Sequence, residues 1–241
     1  MKSLNNSNVT TLKSPTTPIT DFQKDRVNNS VSVQFGCGLW APDDWGNYDV
    51  SPGLRLQKIP ILGNFIPKGP FGGWPKNVKY GNIITGLPLP DGSVDHLYCS
   101  HVLEHLALED FRVALRNSYR LLKPGGVFRF VLPDLEELIK DYQNNNSVNA
   151  SMKFMEDSYL GRHQRAKGLM GFVREWMGNS KHMWMWDFKS MKKELEAVGF
   201  KSVRRAYYHD SEHPEFKAVE ELRRWEKQLG VNCFRNVDKI N

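Results

Sequence analysis

The chain has 241 residues, with 33 Lys and Arg against 27 Asp and Glu, a net charge of +6 and 40% hydrophobic residues. A chain of this length can bury a large apolar core, so we expect one globular domain that needs neither disulfides nor a structural metal. No run approaches the roughly 18 apolar residues of a membrane span, and the polar start lacks the apolar stretch of a secretion signal. Because the three cysteines are also scattered, we expect a cytoplasmic location and exclude a disulfide scaffold.

Positive charge is spread along the whole chain. The pI is about 9.1, but Lys and Arg form no block of five or six residues, as a nucleic-acid-binding arm would. Composition therefore gives no indication of a nucleic-acid partner, and we expect no membrane partner.

The first half of the chain alternates short apolar runs with turn residues. Residues 1–30 are rich in Asn, Ser and Thr and predict a disordered tail, with a single domain over 31–241. Residues 31–35, 47–50 and 77–80 predict short strands. Glycines and prolines between the second and third of these strands predict irregular structure there.

A more regular pattern follows a Pro-Asp-Gly turn. Residues 94–99 predict a strand, and apolar residues at helical spacing from His101 to Leu122 predict one or two helices. The Lys-Pro-Gly-Gly sequence at 123–126 predicts the end of that helix, and the apolar run 127–132 predicts a central strand.

The last third predicts helix, strand and helix in turn. Residues 188–198 predict an amphipathic helix, 202–208 a strand and 215–229 a charged helix. Strands alternating with helices predict an α/β fold with a mostly parallel sheet, whose ligand lies at the carboxyl ends of the strands.

A glycine turn follows the first predicted strand. Gly36, Gly38 and Ala41 fit the dinucleotide pattern G-x-G-x-x-A. That pattern also requires a helix at the turn and an acid about 20 residues later, whereas the chain has a Pro-Asp-Asp loop there and, near the expected acid, Lys58. Asp49, at the end of the second predicted strand, is placed to accept both hydroxyls of a ribose. A turn that holds no ligand stays an open alternative.

Four segments in order carry a more specific resemblance. They are VQFGCG at 33–38, GLPLPDGSVD at 86–95, SHVLEHL at 100–106 and RLLKPGG at 120–126. Over about residues 31–134 the chain resembles class I S-adenosylmethionine-dependent methyltransferases of the type-11 group. The resemblance implies a three-layer Rossmann-like sandwich with a mostly parallel seven-stranded sheet, its last strand antiparallel, and S-adenosylmethionine as cofactor.

The same resemblance implies ten cofactor-binding residues. They are Phe35, Gly36, Cys37, Gly38, Asp49, Asn82, Ile83, Leu87, Ser100 and His101. Gly36 and Gly38 would lie against the methionine part, and Asp49 would hold the ribose hydroxyls. Asn82 and Ile83 would flank the adenine.

The sequence departs from the family pattern at three positions. The usual acid before the first glycine is Gln34, the third glycine is Trp40, and the usual acid after the third strand is Asn82. Asp49 also follows Gly38 by only eleven residues, which leaves no room for a full first helix. These departures keep open a non-catalytic binding module of the same fold.

His101, Glu104 and His105 form the pattern H-x-x-E-H, in which two histidines one helical turn apart can chelate zinc. Because the larger methyltransferase pattern already accounts for this segment, we expect no metal. His101 is the first candidate for a general base, since an imidazole can accept a proton near neutral pH, and Glu104 and His182 are weaker candidates. His105 has a structural alternative, packing beneath the fourth predicted strand.

The expected acceptor-binding insertion covers residues 136–187, which include Trp176, Trp184 and Trp186. Aromatic faces stack on sugars or bases, although these tryptophans can equally be core residues. We therefore expect methyl transfer to a small-molecule or glycan acceptor by a monomer or homodimer. An RNA methyltransferase is the rival enzyme, although the chain contains no Asn-Pro-Pro-Tyr or Asp-Pro-Pro-Tyr motif, and a dinucleotide-dependent oxidoreductase comes third.

Overall fold

A computed structural model describes residues 30–57, 73–161 and 181–237. Its centre is a seven-stranded sheet in the order β3-β2-β1-β4-β5-β7-β6. The strands are β1 Ser32–Phe35, β2 Gly46–Asp49, β3 Val78–Tyr80, β4 Val94–Ser100, β5 Leu122–Pro133, β6 Phe200–Ala206 and β7 Gln228–Arg235.

The sheet is parallel except at its last strand in the sequence. β1 pairs in parallel with β2 and β4, β2 with β3, and β4 with β5. β7 lies between β5 and β6 and is antiparallel to both. This arrangement confirms the predicted Rossmann-like sheet of seven strands with its last strand antiparallel.

Five α-helices and three 3₁₀ turns are present in the described ranges. The helices are α1 Pro52–Gln57, α2 Leu108–Leu121, α3 Leu135–Gln143, α4 Ala150–Asp157 and α5 Phe188–Val198. The 3₁₀ turns are Leu103–His105, Pro214–Ala218 and Leu222–Arg224. None of these helices is long and apolar enough to cross a bilayer.

Alternate residues of the central strands point to two different cores. On one face, Phe128 and Phe130 of β5 pack with α2 and α5. On the other face, Val127 and Val131 pack with Phe216 and other residues of the chain between β6 and β7. The period of two in side-chain direction produces this division, and it fixes which elements lie above each face.

The predicted charged helix over 215–229 is wrong. The chain there forms the two short 3₁₀ turns and then enters β7, in which residues 229–233 are all buried and Leu229, Val231 and Cys233 belong to one core. Lys227, just before the strand, has a positive φ of 56°, which a helix does not allow. Burial of the β7 residues in the sheet outweighs the helical propensity of the charged residues before them.

Other boundaries also differ from the prediction. The Lys-Pro-Gly-Gly sequence lies inside β5, because that strand already begins at Leu122, opposite Val94 of β4. The helices α3 and α4 are absent from the prediction. Neither helix has a buried residue, although Leu135, Leu138, Ile139 and Tyr142 give α3 an apolar face at helical spacing. Most of the predicted tail, residues 1–29, and residues 162–180 with Trp176 lie outside the described residues.

Candidate cofactor and acceptor site

The glycine turn stands at the carboxyl end of β1 and has two different glycines. Both have positive φ, 63° at Gly36 and 57° at Gly38, where residues with a Cβ are strained. A Cβ on Gly36 would overlap Val102, whereas a Cβ on Gly38 would meet no atom within 4 Å. The first glycine therefore permits close packing, and the second presents open backbone on which a ligand can lie.

Asp49 ends β2 beside this turn and is 5% exposed. Its Oδ2 accepts a hydrogen bond from Gly38 N at 2.9 Å, and its Oδ1 accepts one from Ser51 N at 2.7 Å. Each carboxylate oxygen retains a second lone pair. The carboxylate therefore fixes the turn and can still accept hydrogen bonds from two ribose hydroxyls, so these residues fit the expected cofactor.

Residues 36–45 contain no helix, as the short spacing to Asp49 predicts. A network of side-chain amides holds this loop instead. Gln34 Nε2 donates to Trp40 O at 2.9 Å and to Asn47 Oδ1 at 2.6 Å, and Asn47 Nδ2 donates to Pro42 O and Trp45 O, both at 2.8 Å. The departure from an acid to Gln34 thus supplies the donor that the loop uses.

The remaining cofactor candidates divide by burial. Phe35, Ile83 and Leu87 pack their side chains in the hydrophobic core, so only their backbone can face a ligand. Asn82 follows β3, and its Oδ1 accepts a hydrogen bond from Ile84 N at 2.9 Å, which shapes the local turn. The Cys37 thiol is buried beside the Asp49 charge, and burial first and that charge second raise its pKa to about 12. It is therefore a neutral packing group.

Ser100 and His101 end β4 between the glycine turn and the acceptor side. His101 has a positive φ of 54°, and its Nε2 donates to Arg224 O at 3.1 Å. Arg224 Nη1 in turn donates to Ser100 Oγ at 3.1 Å. Arg224 thus holds both residues, a role that its position in a charged stretch of sequence does not reveal.

The three predicted catalytic residues come together with His105. Glu104 has a side chain that is 0% exposed, and its Oε1 lies 3.2 Å from His101 Nδ1. The same oxygen lies 3.9 Å from Nε2 of both His105 and His182. Met183 N donates to Glu104 O at 2.7 Å, and this backbone contact brings the distant His182 to the cluster.

Two of these histidines are neutral by environment. Burial lowers the pKa of His105 and of His182, and the nearby Glu104 charge opposes that effect as the second cause in both. His105 Nδ1 lies 2.7 Å from Lys181 O, and because a carbonyl can only accept, Nδ1 carries the proton. The lone pair of His105 is therefore on Nε2, which faces Glu104.

A cavity of about 590 Å³ opens above this cluster, at the carboxyl ends of β4 and β5. It is the size of a small-molecule site. His101 and Tyr159 line it, and Lys227 is a cation at its edge. Its lining contains six acidic residues, Glu104, Asp134, Glu137, Asp141, Asp157 and Glu226. Four of them pair with an Arg or Lys side chain, and Glu104 and Glu226 carry the remaining negative charge, which favours a neutral or cationic occupant over a phosphate.

A family model described as a methyltransferase domain matches residues 75–130. An uncharacterized 37.1 kDa protein in transposon Tn4556 of Streptomyces fradiae is 36% identical over 83 residues, 34% of this chain and 23% of that protein. A probable methyltransferase, ltbC, of Aspergillus luteorubrus is 42% identical over 48 residues, 20% of this chain and 17% of that protein. The matched stretch thus spans less than a quarter of either relative.

Solved methyltransferase structures also resemble the chain. A SAM-dependent methyltransferase from Archaeoglobus fulgidus aligns with 15% identity and a TM-score of 0.44, over 89% of this chain and 93% of that one. A possible histamine N-methyltransferase from Thermotoga maritima aligns with 18% identity and a TM-score of 0.45, over 86% and 83% of the two chains.

The family-model match lies on β3, β4, α2 and most of β5, which build the centre of the sheet and the edge that carries the cluster. The ordered motifs, this match and the seven-stranded sheet agree. Together they support a class I S-adenosylmethionine-dependent methyltransferase with S-adenosylmethionine as its cofactor, and the match to the methyltransferase-domain family itself covers residues 75–130.

Proposed function

We propose that this protein transfers a methyl group from S-adenosylmethionine to an oxygen or nitrogen atom of a small-molecule or sugar-containing acceptor. The observation that carries the proposal is the order of features along one edge of the sheet. The open backbone of Gly38 and the Asp49 carboxylate lie at β1 and β2, and the cavity lies at β4 and β5. Ser100 and His101 stand between them.

The cofactor supplies an electrophilic methyl group on a positively charged sulfur. The chain's own residues have to hold the two reactants in line and keep water out, which is the main source of rate in such a displacement. Asp49 and the glycine turn fix one end of this line, and the cavity fixes the other.

We assign the general base to His101, which lines the cavity next to Glu104. An acceptor hydroxyl must lose its proton as the new bond forms. His101 donates from Nε2 to Arg224 O, so its Nδ1, 3.2 Å from Glu104, is the nitrogen able to take that proton. The Glu104 carboxylate then stabilises the imidazolium, and His182 borders the same oxygen.

The negative charge of the cavity lining restricts which acceptors we expect. Carboxylates in a partly buried cavity repel phosphate, so a neutral hydroxylated or an amine-bearing acceptor is favoured over a phosphorylated one and over RNA. A panel that pairs each amino sugar or polyol with its phosphate ester tests this with radiolabelled methyl transfer. Transfer to the uncharged or amine member supports the assignment, and transfer only to the phosphate esters or to RNA contradicts it.

The first test is calorimetric titration with S-adenosylhomocysteine, which needs no acceptor. Gly38→Leu places a side chain in the open space on the turn, so we expect binding to be lost. Gly92→Leu is the matched control, because Gly92 has a similar φ of 62° and equally open surroundings but lies at the opposite edge of the sheet. Equal affinity in the two folded variants would remove the glycine turn from the cofactor site.

Loss of His101 separates chemistry from binding. His101→Gln should lower turnover far more than it lowers affinity for S-adenosylhomocysteine. Binding of the cofactor product without methyl transfer to any acceptor in a metabolite extract would instead favour the non-catalytic module.

A further inference from the structure

Glu104 is a buried carboxylate without a fixed donor. Its side chain is 0% exposed, and both of its oxygens lack a hydrogen-bond partner among residues 30–57, 73–161 and 181–237. An isolated buried carboxylate is strongly unfavourable in the charged form unless a cation or hydrogen-bond donors compensate it. The groups that surround it are imidazole nitrogens, which are also metal ligands.

The tautomer of His105 is the one that metal binding requires. Its Nδ1 donates to Lys181 O at 2.7 Å, and its Nε2 points with a lone pair toward Glu104. Histidines that bind a metal typically donate their other ring N–H to a backbone carbonyl or carboxylate in this way. The ring is thus oriented by the backbone before any ion arrives.

His182 supplies a third ligand from a distant part of the chain. Its ring centre lies 5.0 Å from that of His105, and its Nε2 faces the same Glu104 oxygen at 3.9 Å. One ligand atom from each of Glu104, His105 and His182 lies within 4.8 Å of the other two. Metal–ligand distances of about 2.0 to 2.2 Å require ligand separations of roughly 3.4 Å, which small side-chain rotations can reach.

We propose that Glu104, His105 and His182 bind one divalent transition-metal ion, with Zn²⁺ as the matching probe, at the floor of the acidic cavity. Two histidines and one carboxylate with a fourth position open to a cavity is the ligand set of catalytic zinc sites. His101 does not belong to this set. Its Nε2 is held by Arg224 O, and its Nδ1, 3.2 Å from the Glu104 oxygen, is the nitrogen assigned above as the general base.

This assignment revises the expectation of no metal at the H-x-x-E-H pattern. The pattern alone offers His101 and His105, whereas the structure replaces the first with His182, which the Glu104 backbone carbonyl holds through Met183 N and Trp184 N. The open position faces the space that the proposed function gives to the acceptor. Resting on that function, an acceptor hydroxyl bound there would lose its proton more readily.

Zinc binding is measured on the full chain after treatment with EDTA and removal of the chelator. Titration calorimetry with ZnCl₂ and metal analysis after dialysis should show one equivalent, bound at micromolar concentration or tighter. Mg²⁺ should bind at least 100-fold more weakly, since it prefers oxygen ligands. Co²⁺ in place of Zn²⁺ should give the absorption of a tetrahedral site.

Variants locate the ion and keep the test independent of catalysis. Glu104→Gln and His182→Gln should each weaken Zn²⁺ binding at least 10-fold. Loss of a residue that only hydrogen-bonds to a metal ligand typically weakens metal binding by about that factor, and these two variants remove a ligand itself. His213→Gln is the control, because His213 belongs to a second His-Glu group with His96 and Glu215. Loss of zinc in His213→Gln with retention in Glu104→Gln would overturn the proposal, as would the absence of any zinc binding.

The outcome for zinc is separable from the outcome for methyl transfer. S-adenosylhomocysteine binding is measured on the same chelator-treated samples. Retained cofactor binding with no zinc binding would reject the metal site alone. Zinc binding with no cofactor binding would leave the metal site standing and reject the proposed function.

Discussion

Two glutamates with fully buried side chains, Glu104 and Glu220, have opposite surroundings. Glu220 accepts a hydrogen bond from the Arg129 guanidinium, and its other oxygen accepts one from His209 N at 2.8 Å. Arg129 is itself fully buried, binds Asp210 Oδ1 at 2.8 Å and lies 4.5 Å over the Trp225 ring. Glu104, in contrast, is bordered by imidazoles and opens to the cavity.

The difference separates a carboxylate whose oxygens are both used in the fold from one whose oxygens stay available to a ligand. Glu220 and Arg129 connect β5 to the chain that covers the second face of the sheet. Both oxygens of Glu220 accept hydrogen bonds, and the Arg129 guanidinium donates to several acceptors. Glu104 keeps its oxygens without hydrogen-bond partners among the described residues, in the lining of the cavity. Burial of a charged residue is therefore informative only together with its partners.

The largest effect is expected when Arg129 is removed. Arg129→Met leaves Glu220 charged, buried and without its cation, so the free energy of unfolding should fall by about 3 to 5 kcal/mol in urea denaturation. Arg204→Met is the matched control, since Arg204 binds the same Asp210 but is about two-fifths exposed. That variant should lose less than about 1 kcal/mol. Equal losses would mean that the burial of Arg129 has no energetic consequence.

The next largest effect is the difference in stability loss between the two glutamate variants. Glu220→Gln should lose about 1.5 to 3 kcal/mol, the scale of a hydrogen bond to a charged group, because Arg129 and His209 N both donate to it. Glu104→Gln, measured with chelator, should change stability by less than about 1 kcal/mol, because no described donor is left unpaired. A larger loss at Glu104 than at Glu220 would invert the comparison.

Asp49 is a third buried carboxylate, and we expect it to combine a structural contact with cofactor binding. Asp49→Ala should weaken S-adenosylhomocysteine binding by about 1.5 to 3 kcal/mol, the scale for hydrogen bonds to a charged group. Calorimetry measures this, and circular dichroism shows whether the variant folds, because Gly38 N and Ser51 N lose their acceptor. Unchanged affinity in a folded variant would restrict Asp49 to the structural role of Glu220.

The smallest effect is a pH dependence of stability. Burial lowers the pKa of His105 and His182 from the usual 6.5, so the unfolded chain binds more protons than the folded chain between the two values. Stability should therefore fall as the pH decreases below about 6.5, in chelator-treated protein. His182→Gln should reduce this loss of stability at low pH. Part of the pH dependence should remain, because burial also lowers the pKa of His96.

Sequence reasoning reaches the sheet more completely than the site. Short β-branched and apolar runs locate β1 to β5 within a residue or a few, because strand burial leaves a direct pattern. β7 was missed since charged residues before it imitate a helix, and its partners β5 and β6 are distant in the chain. Glu104 and His101 could be named as candidates because they stand inside a local motif.

The parts of the site that were missed depend on contacts between distant segments. Arg224 reaches Ser100 and His101 from the chain between β6 and β7, and His105 receives its tautomer from Lys181 O. His182 was named as a weaker candidate, but its partnership with His105 was not. No spacing in the sequence encodes these contacts, because each is set by how loops cross the edge of the finished sheet.

Val102 packs directly against Gly36 and so connects the glycine turn to the cluster of Glu104, His105 and His182. Val102 immediately precedes the 3₁₀ turn that carries Glu104 and His105, so a ligand that displaced the glycine turn would move the cluster through one packed side chain. Ligands at the two places would then be thermodynamically linked, and the factor by which one changes the affinity of the other would be the same in both directions. Two binding curves, each measured with and without the other ligand, therefore contain a built-in consistency check.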